Sequence, residues 1–154
     1  SGGPLVNLAG QVVGINTLVV RGNSFTGDQA EGLGFAIDAN TVRAMSDQLI
    51  RKGYVSRPYL GIDGTPITPS LARMYDLPAP WGVYVRSVGA GSPAAKAGLQ
   101  AGDIIVRIGD RAIDGDNPFI NVLMQFSPGQ TVPITVQRGE QTLTLQVTLG
   151  ERTT

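Results

Sequence analysis

The chain has 154 residues, with twelve basic and twelve acidic side chains and a formal net charge of zero. The charge balances within each part, four against four over residues 1–56 and eight against eight over 57–154, which excludes a polybasic nucleic-acid or membrane-surface footprint. Hydrophobic residues make up 42% and charged residues 16%, so the chain can bury a core and is too apolar for intrinsic disorder.

There is no cysteine, hence no disulfide and no thiolate site. There is no histidine, the usual general base near neutral pH. Twenty-one glycines, ten prolines and 6% aromatics favour short strands and many turns over long helices. No apolar run approaches transmembrane length, so membrane association is not encoded here. No Asp/Glu pair has metal-ligand spacing, and neither a metal nor a cofactor is expected.

In chain order, Leu5-Val6 and Val12-Val13-Gly14-Ile15 flank Asn7–Gly10, the pattern of a β-hairpin. Residues 21–31 are polar and glycine-containing, and form a loop with no assigned chemistry. Gly32-Leu33-Gly34-Phe35-Ala36-Ile37 has the composition of a short buried strand. Asp38 is a good N-cap for an amphipathic helix over 39–52, with Val42, Met45 and Leu49 on one face. Arg51-Lys52-Gly53 closes it with cations and a glycine. Residues 53–58 are a linker.

Residues 57–150 have the pattern of a separate domain. Thr68-Pro69 starts a short helix through Tyr75, and Gly82–Val88 alternates as a strand. Ser92-Pro93 opens a second short helix, which Gly98 closes. Gly89-Ala90-Gly91 before it superficially matches a phosphate loop, but lacks the Gly-Lys-Ser/Thr ending and is taken as a turn. Ile104–Ile108 is a buried strand. Asn117-Pro118 precedes a third helix over Phe119–Phe126, ended by Ser127-Pro128-Gly129. Strands at Thr131–Gln137 and Gln141–Leu149 finish the chain, the second with Leu143, Leu145, Val147 and Leu149 on one face.

One stretch offers a binding chemistry. Tyr59-Leu60-Gly61-Ile62 follows Arg57-Pro58 and leads into an extended run. A central glycine lets successive N–H groups point into one concavity, and such a nest captures an anion such as a peptide's C-terminal carboxylate. The plain alternative is a strand start after a proline turn.

Five segments, in order, resemble the HtrA/Deg family of trypsin-like serine proteases. Ser1-Gly2-Gly3-Pro4-Leu5 is similar to the tail of the Gly-Asn-Ser-Gly-Gly-Pro-Leu motif around the family's nucleophile. Gln11–Thr17 is similar to the strand that follows it, and Gly32–Ile37 to the substrate-pocket segment. Arg57-Pro58-Tyr59-Leu60-Gly61-Ile62 resembles the lead-in to the family's PDZ domain. Gly91–Leu99 with Gly102-Asp103-Ile104-Ile105 is the most specific PDZ signature.

The resemblance implies a mainly β chain with short helices. It divides into incomplete trypsin-like barrel strands over 1–38, a helix and linker over 39–56, and a circularly permuted, bacterial-type PDZ domain over 57–150. It implies a parent serine endopeptidase of extracytoplasmic protein quality control, in the periplasm or cell envelope, from a family that is trimeric. Ser1 would be the nucleophile, and Gly32, Leu33, Gly34, Phe35 and Ala36 would line the substrate pocket. Unfolded proteins and C-terminal peptide segments would be the partners. Tyr59, Leu60, Gly61 and Ile62 would hold the peptide carboxylate. Phe119, Leu123 and Phe126, at i, i+4 and i+7, would line the groove, with Ile120 and Met124 as the alternative face.

The departures matter equally. The family's catalytic His and Asp lie upstream of the nucleophile and are missing here, and Asp38 stands where proline is usual. A serine hydroxyl without an adjacent base is a weak nucleophile, and part of the oxyanion hole would also be lost. The chain alone is therefore expected to be inactive. Two alternatives stay open: a stand-alone peptide-binding module, and a hydrolase in which Ser1 uses its own α-amino group as base.

Overall fold

The computed structural model describes residues 2–20 and 33–153. Ser1, Gly32 and the loop assigned to 21–31 lie outside the described residues. The chain divides into two compact units, 1–55 and 56–154.

The first unit holds an antiparallel sheet in the order β1 (Pro4–Val6), β2 (Val12–Val20), β3 (Leu33–Asp38). Its hairpin turn forms where the Asn7–Gly10 pattern placed it. The Asn7 carboxamide oxygen accepts from the N–H groups of Ala9 and Gln11, both at 3.0 Å, and Gly10 takes a left-handed φ of 76°. Gly14 opposes Asp38 across β2 and β3, where an ideal Cβ would lie 2.9 Å from the Ile37 carbonyl oxygen.

Helix α1 (Ala39–Lys52) starts at Asp38, whose carboxylate accepts from the N–H groups of Asn40 and Thr41 at 2.9 and 3.1 Å. It ends at Gly53, φ 78°, whose N–H donates to the Leu49 carbonyl. No residue of α1 is buried. β3 is not the buried strand that its composition suggested: Phe35 and Ile37 are 52% and 43% exposed. Composition gives a strand its apolar side chains, but only a packed neighbour can cover them.

The second unit opens and closes on one two-stranded ribbon, β4 (Ser56–Tyr59) paired with β11 (Gly150–Thr153). Between them run β5 (Ile62–Ile67), α2 (Pro69–Met74), β6 (Gly82–Val88), α3 (Pro93–Lys96), β7 (Ile104–Ile108), β8 (Arg111–Ala112), α4 (Phe119–Leu123), β9 (Thr131–Arg138) and β10 (Gln141–Thr148). The sheet order is β10-β9-β7-β6-β5, with β8 paired to β7, so β5 is an edge strand. β4, β8 and β11 were not foreseen; residues 56–58, expected as the end of a linker, form β4 because β11 offers them a ladder. α4 is shorter than the expected 119–126, because its last turn tightens into i→i+3 bonds from Gln125 to Val122 and from Phe126 to Leu123.

Val85, Ile105, Ile108, Ile134, Val136 and Val147 are fully buried between the sheet and its helices. One buried charge serves this core. Asp103 accepts from Arg138 Nε at 2.7 Å and Nη2 at 2.8 Å, and from the Gln100 N–H at 2.9 Å. Arg138 Nη2 also donates to the Gly98 carbonyl at 2.8 Å, tying the turn before β7 to the end of β9. Burial alone would raise the Asp103 pKa. The hydrogen bonds from Arg138 and Gln100 and the guanidinium charge outweigh it and hold the carboxyl below its ordinary value.

Candidate peptide-binding site

The Tyr59–Ile62 segment crosses from the ribbon into the edge strand. Its carbonyls are taken: Leu60 accepts from the Ala94 N–H and Gly61 from the Gly89 N–H, both at 2.9 Å. Ala94 belongs to α3, whose N-cap Ser92 is buried and accepts from the Ala95 N–H at 3.1 Å. With both carbonyls turned inward, no hydrogen bond among the described residues takes the N–H of Leu60 or Gly61.

Gly61 has a left-handed φ of 84°, and an ideal Cβ on it would lie 2.3 Å from Ser92 Cβ and 3.1 Å from the Tyr59 hydroxyl. Only glycine fits between the α3 cap and that phenol. Leu60 is buried, while Tyr59 is 37% exposed beside the loop.

A cleft of about 490 Å³ runs along β5 and faces the start of α4. Its walls include Ile62, Gly64, Val83, Phe119, Ile120 and, at the far end, Trp81. Gly64 permits the approach of β6: an ideal Cβ there would lie 2.5 Å from Val83 Cγ1.

The structure thus brings Ile62 and Phe119 to one cleft, but not Leu123 or Phe126. Leu123 is 4% exposed inside the core cluster that contains Leu60, and Phe126 packs on that cluster, close to Gly109. Leu123 lies within α4 and faces the core; for Phe126 the cause is helix length. α4 has five residues, so position i+7 lies beyond its end and the face is not continued. Ile120, 53% exposed, takes the cleft position instead. Trp81 was missed altogether; a lone aromatic between Pro80 and Gly82 gives no periodic signal.

In the first unit Leu33, Gly34, Phe35 and Ala36 lie on β3, paired to β2. Among the described residues no group of His, Cys, Asp and Glu could hold a metal ion. No described helix is long and apolar enough to cross a membrane.

An edge strand, a short helix across a cleft from it and a glycine loop at the strand's start define a peptide-binding module. The PDZ-domain family model matches residues 58–149, and the chain belongs to that family. Its similarity to known proteins extends further, over nearly the whole chain, to HtrA/Deg-type serine endoproteases. It is 38% identical to serine endoprotease DegS of Escherichia coli K12 over 151 residues, 98% of this chain and 42% of that protein. It is 34% identical to the serine protease Do-like HtrA of Bacillus subtilis over 160 residues, 99% of this chain and 34% of that protein. Among solved structures, the HtrA-type protease AlgW with a decapeptide superposes with a TM-score of 0.75 at 35% identity, over 99% of this chain and 46% of that one. The chain thus spans less than half the length of these relatives.

Proposed function

We propose that the 57–150 region binds peptides through their free C-termini. The observation that carries this reading is the Leu60-Gly61 pair, with both carbonyls engaged and both N–H groups unengaged beside an open strand edge. A carboxylate supplies the missing acceptors, and the peptide backbone adds a strand along β5. Its last side chain is apolar, packing on Ile62 and Phe119 over the Leu60, Leu123 and Phe126 cluster. An unpaired polar group buried there would cost about 1–3 kcal/mol. Affinity is on the order of micromolar, because the contact is small and the peptide is ordered on binding. AlgW has been solved with a decapeptide and with a tripeptide, which supports a peptide as the occupant.

The wider reading follows the relatives. The parent is a serine endopeptidase of protein quality control, with Ser1 as nucleophile and Gly32–Ala36 as part of the substrate pocket. Its setting is extracytoplasmic, as the names of periplasmic DegP-like and DegQ relatives suggest. Residues 1–38 belong to the protease domain, and 39–56 connect it to the PDZ domain. The exposed apolar side chains of the first sheet favour self-association. The 154-residue chain by itself does not hydrolyse peptides, since it carries no histidine to activate Ser1.

Calorimetric titration of one apolar-tailed peptide, as free acid and as C-terminal amide, tests the binding reading. The amide should bind about tenfold more weakly or worse, from loss of hydrogen bonds to a charged group. Equal affinities contradict it. Labelling of Ser1 by a fluorophosphonate probe, abolished in Ser1→Ala, would contradict inactivity.

A further inference from the structure

The cleft is longer than carboxylate capture requires. From Ile62 to Ile67 the edge strand advances five residues, roughly 16 Å at about 3.3 Å each. The loop lies at the Ile62 end. At the other end Ile67 pairs with Gly82, which places Trp81 beside the far end of the strand. There Trp81, Pro66, Ile113 and Pro118 line the cleft. Gly115 completes this end, lying so close that an ideal Cβ would be 3.1 Å from the indole ring. The indole is only half-buried, in a protein whose sole tryptophan it is.

A peptide anchored by its carboxylate at Gly61 runs antiparallel to β5, towards Trp81. In a strand alternate side chains face one way, so the first, third and fifth residues counted back from the C-terminus face the cleft. The fifth lies four steps, about 13 Å, from the first, level with Pro66. Pro66 has no N–H to offer an added strand, so contact there rests on side-chain packing rather than on the ladder.

We propose that the Trp81 end of the cleft is an upstream subsite that takes a bulky apolar side chain, the fifth from the C-terminus of the bound peptide. This rests on the carboxylate-anchored reading, which fixes the peptide's direction and register. Recognition then has two anchors, a carboxylate at the loop and an apolar side chain at the indole, with a tolerant stretch between them.

The test uses the full 154-residue chain and three free-acid peptides with a common Ala-Val-Leu terminus. One is the tripeptide; two are hexapeptides with Leu or Ser at the fifth position from the end. Affinity is read by calorimetry and Trp81 emission by fluorescence. The Leu hexapeptide should bind about tenfold more tightly than the Ser hexapeptide, as expected for burying one aliphatic side chain. It alone should shift the indole emission to the blue. In Trp81→Ala the two hexapeptides should bind equally, with a cooperative unfolding transition in urea showing that the variant is folded; a retained tenfold preference for the Leu hexapeptide in that folded variant overturns the subsite. Equal binding of both hexapeptides to the wild type, with unchanged emission, overturns the subsite and leaves carboxylate capture standing. If no free-acid peptide binds, both readings fall together.

Discussion

The described residues of the first unit hold three paired strands and a fourteen-residue helix capped at both ends, yet no residue of that helix is buried and Leu5, Val12, Phe35 and Ile37 of the strands are exposed. The second unit has no helix longer than six residues, yet fifteen buried residues form one cluster around Ile105 and Ile134. Hydrogen bonds and caps decide what each segment looks like locally. Burial decides how hard it is to pull apart, because a satisfied ladder in water gains little over a solvated chain. A helix of this length is marginal alone, and its stability must come from packing. The same grammar of strands and caps therefore yields a stable module in one region and, in the other, a structure that needs a cover.

Hydrogen exchange should expose this contrast most strongly. Amides of Val85, Ile105 and Ile134 should exchange at least about a thousandfold more slowly than those of Val13, Ile15 and Ile37, since only the former open through global unfolding. Comparable protection in the two units would break the comparison.

Removing a partner from the buried ion pair comes next. Asp103→Ala removes the carboxylate that holds Arg138 and the Gln100 N–H, leaving Arg138 only its bond to the Gly98 carbonyl, and should destabilise the second unit by about 1.5–3 kcal/mol in urea titration. The same carboxylate makes that unit acid-sensitive. Its folded pKa lies below the unfolded value of about 3.9. Its contribution is therefore complete above that value and fades as pH falls through the folded pKa. Stability of Asp103→Asn should depend less on pH below about 4; an unchanged acid profile would assign the sensitivity elsewhere.

Smaller still is the cap of the long helix. Asp38→Ala removes the acceptor for two N–H groups and should cost α1 about 1 kcal/mol, read as lost helical circular dichroism with the second unit's unfolding transition unmoved. A matching shift in that transition would mean that the two units unfold together.

Local chemistry was legible in the sequence. Asp38, Thr68 and Ser92 cap helices as their side chains allow, and Leu143, Leu145, Val147 and Leu149 alternate as one face of a strand requires. What stayed hidden depends on distant partners. β11 is Gly-Glu-Arg-Thr, without an apolar residue, and becomes a strand only because Ser56–Tyr59 offers a ladder at the other end of the unit. The Asp103–Arg138 pair joins residues 35 apart that carry no shared local pattern. The groove was legible at the loop and at Phe119, where glycine chemistry and the helix start mark it. At α4 the choice between the Phe119 and Ile120 faces stayed open, because it depends on where the helix stops, and Trp81, outside any periodic pattern, was not legible.

Carboxylate capture rests on two amide groups, those of Leu60 and Gly61, and nitrogen-15 NMR reads them directly. Adding a free-acid peptide with an apolar terminus should move the Leu60 and Gly61 amide resonances downfield, as their N–H groups gain a charged acceptor. The amidated peptide should leave those two in place at the same concentration. Binding of the free-acid peptide that shifts the β5 resonances and leaves Gly61 unmoved would contradict the account.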